Sequence, residues 1–165
     1  MEIKLRAMID NDWANVLTIY KEGLTTGNAT FEQEAPTYFE WDKNHLKNCR
    51  IVALFKNEIV GWAALSNVSG RCVYAGVAEV SVYVSNKFRG LKIGKQLLKE
   101  LIIKSEKENL WTLQAGVFPE NVASIKIHKQ LGFREVGFRE KIGKMNGIWR
   151  NTILLEKRLQ QENLS

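Results

Sequence analysis

The chain has 165 residues, 45% of them hydrophobic and 25% charged, with a formal net charge of +6 and two cysteines. That length fits one compact domain able to bury its own core, so neither a disulfide framework nor a structural metal is required. Cys49 and Cys72 show no CxxC spacing and no clustered histidines, which argues against a zinc site and suits a reducing cytoplasm. No apolar run approaches the roughly 20 residues of a membrane-spanning helix, and the start, MEIKLRAMID, carries no signal-peptide core. The positive charge raises a nucleic-acid reading, but Lys and Arg are spread along the chain. A surface that attracts one anionic cofactor accounts for the charge as well.

In chain order, residues 2–6 predict a short strand. Asp10 and Asp12 offer caps for a helix whose apolar face includes Trp13, Val16, Leu17 and Tyr20. Gly23 is expected to stop that helix and open a loop reaching Pro36. A second helix is expected after Pro36, with Phe39, Trp41, His45 and Leu46 available for packing. Residues 51–55 and 59–65 are apolar runs separated by Lys56, Asn57 and Glu58, which predicts a hairpin. Residues 77–84 form a strand in which Val80, Val82 and Val84 alternate with Glu79, Ser81 and Tyr83. A glycine-containing loop then enters a helix reaching residue 108, with Leu97, Leu98, Leu101, Ile102 and Ser105 on one face. Residues 111–118 predict a strand and 123–131 a helix closed by Gly132. Two strands near 133–140 and 149–156 complete the chain. The expectation is a single α+β domain over residues 1–165 with a mixed sheet.

The chemistry concentrates after the strand at 77–84. Two glycines and two cations in Arg89-Gly90-Leu91-Lys92-Ile93-Gly94 lie between a strand and a helix. Such a loop turns consecutive N–H groups toward an anion at the positive end of a helix. The spacing excludes two familiar phosphate loops. A Walker loop needs four residues between its glycines and then Lys-Ser/Thr, whereas Gly90 and Gly94 enclose three and Lys95 precedes Gln96. The dinucleotide pattern GxGxxG is absent. Taken alone, the two glycines would also serve as ordinary punctuation of a βα connection.

A second segment, Asn121 through Ser124 to Leu131-Gly132-Phe133, follows in the order that one family uses. Together the segments resemble the Arg/Gln-x-x-Gly-x-Gly/Ala and Asn-x-x-Ala/Ser…Leu-Gly-Phe motifs of the general N-acetyltransferase (GNAT) superfamily. Thr30-Phe31-Glu32 with Pro36-Thr37, the strand Ala78-Glu79-Val80-Ser81-Val82-Tyr83-Val84, and Gly147-Ile148-Trp149-Arg150 resemble its phosphinothricin and L-amino-acid N-acetyltransferase branch. Asn151 stands where that branch commonly carries Asp. The resemblance implies a three-layer acyl-CoA N-acyltransferase fold, acetyl-CoA as acyl donor, no metal, and a homodimer.

The resemblance also implies site residues. Val82, Tyr83, Val84, the run Arg89, Gly90, Leu91, Lys92, Ile93 and Gly94, and Asn121 with Ser124 would hold acetyl-CoA. Phe31, Glu32, Arg71, Glu79 and Tyr83 would face the amine, with Trp62 and Trp149 as further pocket walls. Glu79 interrupts an apolar strand, where partial desolvation would raise its pKa and suit it as a base, acting directly or through water. The competing reading is a Glu facing solvent. His128 stands where many family members carry a Tyr that protonates the departing thiolate; imidazole serves as acid or base, or is simply packed against a carbonyl. The N–H of Val82 or Val84 would polarise the thioester carbonyl, and Arg71, on the turn before that strand, would either hold a substrate carboxylate or stand as a solvated loop cation. The rival functions are acetylation of another amine (an aminoglycoside, a polyamine or a protein N-terminus) and a non-catalytic acyl-CoA sensor.

Overall fold

A computed structural model of the protein describes residues 1–160; the last five residues of the expected domain lie outside the described residues. Seven strands and four helices follow one another as β1 (Lys4–Ala7), α1 (Trp13–Thr26), α2 (Tyr38–Asn44), β2 (Ile51–Phe55), β3 (Glu58–Asn67), β4 (Val77–Val84), α3 (Ile93–Glu106), β5 (Thr112–Val117), α4 (Val122–Gln130), β6 (Arg134–Met145) and β7 (Ile148–Arg158). The strands form one sheet in the order β1-β2-β3-β4-β5-β7-β6. Every neighbouring pair is antiparallel except β4 with β5, which makes the sheet mixed.

The period-2 alternation of β3 and β4 builds a core on each face of the sheet. On one face Ala63, Leu65, Ala78 and Val80 meet the buried stripe of α3, formed by Leu97, Leu98, Leu101 and Ile102. On the other, Trp62 and Ala64 meet Val16, Ile19 and Tyr20 of α1 and Trp41 of α2. Helices on both faces give the expected three layers.

Two expectations about α1 are corrected. Asp12 does not cap the helix. Its carboxylate accepts both Arg6 guanidinium nitrogens, at 2.7 and 2.9 Å, and the Ile9 N–H at 2.8 Å, closing a single 3-10 turn at Asp10–Asp12. Gly23 does not stop the helix, which runs on to Thr26 and ends at Gly27 in the left-handed region (φ 70°). Gly23 is there for space: a Cβ would lie 2.6 Å from Cε1 of Tyr83.

The remaining differences are of extent. Phe39 faces solvent, whereas Trp41 is buried. Gly94 falls inside the first turn of α3, which ends at Glu106. β6 and β7 are longer than expected, because a register shift between Arg139 and Gly143 lets the ladder continue past residue 140.

Candidate active site

The site begins where β4 and β5 part. Their parallel register covers Val77↔Thr112, Ala78↔Leu113 and Glu79↔Gln114, and among the described residues it stops there. β4 continues to Val84 beside β3, while β5 continues to Val117 beside β7. The divergence leaves a wedge whose backbone edge on β4, from Val80 onward, faces an opening.

The wedge holds a cavity of about 250 Å³. Glu79, Val80, Ser81, Val82 and Tyr83 of β4 line it, with Ala115, Gly116 and Val117 of β5 and Phe118 just after that strand. Asn121, the cap of α4, with Ser124 and His128 on that helix, and Asn28 through Phe31 from the loop after α1 add to the lining. Thr152 of β7 completes the lining.

Glu79 is half-buried, and its Oε1 lies 3.8 Å from where a Cβ on Gly116 would stand. Burial pushes the Glu79 pKa above the ordinary carboxylate range; the Gly116 backbone and the charge of Arg139 act in the other direction and only partly offset it. Tyr83 stacks on Trp62 at 4.7 Å and lies 5.2 Å from the Tyr20 ring. Burial, with the nearby Tyr20 phenol and Glu32 carboxylate, holds its phenol protonated, against a weaker opposing effect of Thr30.

His128 is buried, and its Nδ1 lies 2.7 Å from the Ser124 carbonyl oxygen. Only a protonated Nδ1 can donate there, so neutral His128 has a bare Nε2. Nε2 is buried and makes no hydrogen bond to the protein. Burial lowers the His128 pKa, so the neutral ring is the resting form. The ring also meets Phe133 edge-on at 5.0 Å. Asn121 caps α4, accepting the Ser124 N–H at 3.3 Å, while its Nδ2 reaches the Asn28 carbonyl at 3.4 Å.

Beyond the cavity, β4 leads through Val84 to the predicted anion loop. Gly90 and Lys92 both adopt positive φ (77° and 64°), and α3 begins at Ile93. This bend exposes residues 89–92 at the N-terminus of α3. The loop, the helix dipole and the open edge of β4 fit a ligand with a pyrophosphate at one end and an amide-bearing arm. Among the described residues no cluster of three or more His, Cys, Asp or Glu side chains could hold a metal ion.

The structure therefore brings Phe31, Glu79, Val82, Tyr83, Asn121, Ser124 and His128 around one cavity. Four residues predicted for the amine pocket stand outside its wall. Glu32 is exposed and acts on Tyr20 and Tyr83 only through its charge. The Arg71 guanidinium rests 5.7 Å from the Tyr74 ring. Trp62 lies buried behind Tyr83, and Trp149 is exposed beside Lys144. Asn151 accepts the Lys141 N–H at 2.8 Å and so shapes the β6–β7 ladder. Sequence reasoning missed Gly116, Phe118, Thr152 and the two arginines Arg139 and Arg150. Alternation along β6 and β7 hints at their faces, but only the register shows what they oppose.

Comparison with known proteins agrees with this geometry. The family model described as "Acetyltransferase (GNAT) family" matches residues 13–133. A phosphinothricin N-acetyltransferase of Alcaligenes faecalis is 29% identical over 161 residues, covering 94% of this chain and 82% of that protein. An L-methionine sulfoximine/L-methionine sulfone acetyltransferase of Pseudomonas paraeruginosa is 31% identical over 102 residues, covering 62% and 59%. The crystal structure of a phosphinothricin acetyltransferase from Sinorhizobium meliloti in complex with acetyl-CoA superposes with a TM-score of 0.89 at 27% identity, covering 100% of this chain and 93% of that one. With its parted strands, its anion loop and its cavity between them, the chain belongs to the GNAT acetyltransferase family and is an acetyl-CoA-dependent N-acetyltransferase.

Proposed function

We propose that the enzyme acetylates the α-amino group of a small amino-acid-like substrate of the phosphinothricin, methionine sulfone or methionine sulfoximine type. One observation carries this reading: a carboxylate of raised pKa, Glu79, stands in a small cavity at the parting of β4 and β5 with a single cation, Arg139, acting on it. Among the described residues Glu79 is the one acidic residue in the lining, which suits one amine better than a polycation. Arg139 lies directly across from the lining residue Thr152 in the β6–β7 register. Directly opposed residues share a face of the sheet, so Arg139 offers a counter-charge to an anionic substrate group.

Transfer proceeds within a ternary complex. The anion loop, residues 89–94, receives the pyrophosphate of acetyl-CoA, and the open edge of β4 at Val82 and Val84 receives its arm. Glu79, directly or through water, takes a proton from the substrate ammonium and frees the lone pair. The amine attacks the thioester carbon, forming the C–N bond. The carbonyl oxygen gains charge near the β4 backbone N–H groups. The C–S bond then breaks, and the second amine proton ends on the CoA sulfur. His128 Nε2 is a bare acceptor and can relay that proton from nitrogen to sulfur.

The protein works as a homodimer in the cytoplasm. The exposed apolar side chains Phe138, Ile142, Ile148 and Trp149 on the β6–β7 hairpin support a second copy docking there, and the free thiols of Cys49 and Cys72 suit a reducing compartment.

The test is CoA release from acetyl-CoA with a panel of free amino acids and analogues, comparing wild type with Glu79→Gln. Turnover on phosphinothricin or methionine sulfone that falls at least roughly tenfold in the variant supports the substrate class and the base. Unchanged turnover removes Glu79 from its role. Acetyl-CoA binding without turnover on any amine points instead to an acyl-CoA sensor.

A further inference from the structure

Arg150, in β7, belongs to none of the roles above, yet its side chain is only 15% exposed. Its guanidinium donates to the Gly27 carbonyl at 2.8 Å and to Asn28 Oδ1 at 2.9 Å. It also reaches Glu120 Oε2 at 3.3 Å, and its Cζ lies 4.0 Å from the centre of the Phe118 ring. One planar cation therefore grips two segments that lie far apart in sequence. Gly27 and Asn28 open the loop whose residues 28–31 line the cavity, and Phe118 and Glu120 belong to the turn that presents Asn121.

The two segments differ in what else holds them. The turn is anchored by β5 before it and α4 after it, and by the Asn121 N–H bonding the Phe118 carbonyl at 2.9 Å. The loop joins α1 to α2 without secondary structure of its own over residues 27–37. Its further ties to the turn are the Asn121–Asn28 hydrogen bond and the Phe31 ring set edge-on against Phe118 at 4.8 Å. Phe31 fits there because Gly143, the register partner of Arg150, has no side chain: a Cβ would lie 2.7 Å from the Phe31 ring.

We infer that Arg150 is a positioning residue that fastens the amine-side loop, residues 27–31, to the cofactor-side turn, residues 118–121, and so sets the amine pocket without touching the reacting atoms. This rests on the amine-acetylating reading above. An Arg is suited to the task because its fork serves two acceptors at once while its plane stacks on Phe118; a Lys ammonium offers a point charge without the plane.

The experiment is full steady-state kinetics, both substrates varied, on wild type, Arg150→Gln and Arg150→Lys, with phosphinothricin or methionine sulfone as the amine. Alongside runs native-state digestion with a glutamate-specific protease, whose sites Glu32 and Glu34 lie in the loop. In Arg150→Gln the amine KM is expected to rise roughly tenfold while the acetyl-CoA KM stays within about threefold, and cleavage at Glu32 or Glu34 to quicken at least about fivefold. Arg150→Lys should fall between. Unchanged cleavage with an unchanged amine KM overturns the inference, as does an equal rise in both KM values. If Arg150→Gln does not fold, Asn28→Ala removes one acceptor at the loop itself, and the same two readouts decide. Should wild type turn over no amine, the functional reading fails, while the cleavage comparison still decides whether Arg150 fastens the loop.

Discussion

The ring of Tyr83 occupies the space that a side chain on Gly23 would need, 2.6 Å from the site of a Cβ. A glycine in the body of α1 thus lets the helix approach β4, where Tyr83 lines the cavity and Trp62 backs it. Gly23→Ala gains up to about 1 kcal/mol of helix propensity but crowds a buried ring, at about 1–3 kcal/mol. The expected result is a net loss of up to about 2 kcal/mol, seen as a fall in Tm of up to roughly 8 °C, with a raised amine KM. A variant more stable than wild type would show that the contact relaxes freely.

The pH dependence of kcat/KM for the amine should carry an acidic limb above the ordinary glutamate value of 4.5. Burial disfavours the charged form of Glu79, so the proton is held to higher pH, and the base is lost as pH falls through that raised value. Arg139 pulls in the other direction. Arg139→Gln should therefore move the limb to still higher pH and raise the KM of anionic substrates. A limb that stays in place after this substitution would detach Arg139 from Glu79.

His128 tests whether a buried acceptor works in the reaction. With Nδ1 committed to the Ser124 carbonyl, His128→Gln should lower kcat about 10²-fold, the lower end of general acid–base contributions. The acetyl-CoA KM should change little. If kcat holds and only Tm drops, the ring serves packing alone.

Far from the cavity, Asp12 gives a stability prediction. Hydrogen bonding to Arg6 first, and to the Ile9 N–H, holds its pKa below the ordinary 3.8, against the opposing effect of burial. Its contribution is fully present above the unfolded value and is lost as pH falls through the depressed folded value. Asp12→Asn should cost about 2 kcal/mol at neutral pH, a Tm loss of roughly 4–8 °C. The gap to wild type should close on acidification below about pH 4. A gap independent of pH would mean that the ion pair contributes nothing.

Much of the architecture was legible from local pattern. The strand Val77–Val84 reads directly from its valines alternating with Glu79, Ser81 and Tyr83, because a strand's two faces repeat every second residue. The buried stripe of α3 reads from its leucine spacing in the same way. Gly23 misled for the opposite reason: glycine's low helix propensity is a local quantity, whereas its place in α1 depends on a tyrosine 60 positions away in the chain. Glu32 resembles a pocket residue by its motif, but in the structure Phe31 turns to the cavity and Glu32 to solvent.

The sequence by itself determined the order of elements, since each is carried by residues close together in the chain, and through its family resemblance it pointed to the loop at residues 89–94 and to Glu79 and His128 as candidates. Only the tertiary structure decided where β4 and β5 part, which nitrogen of His128 is bare, that Arg139 opposes the lining residue Thr152, and that Arg150 bonds Gly27 and stacks on Phe118. Those facts depend on strand register and on contacts spanning as many as 123 positions, such as Arg150 to Gly27. Register is set by the packing of whole faces, and a one-residue slip would turn every side chain of a strand to the other side.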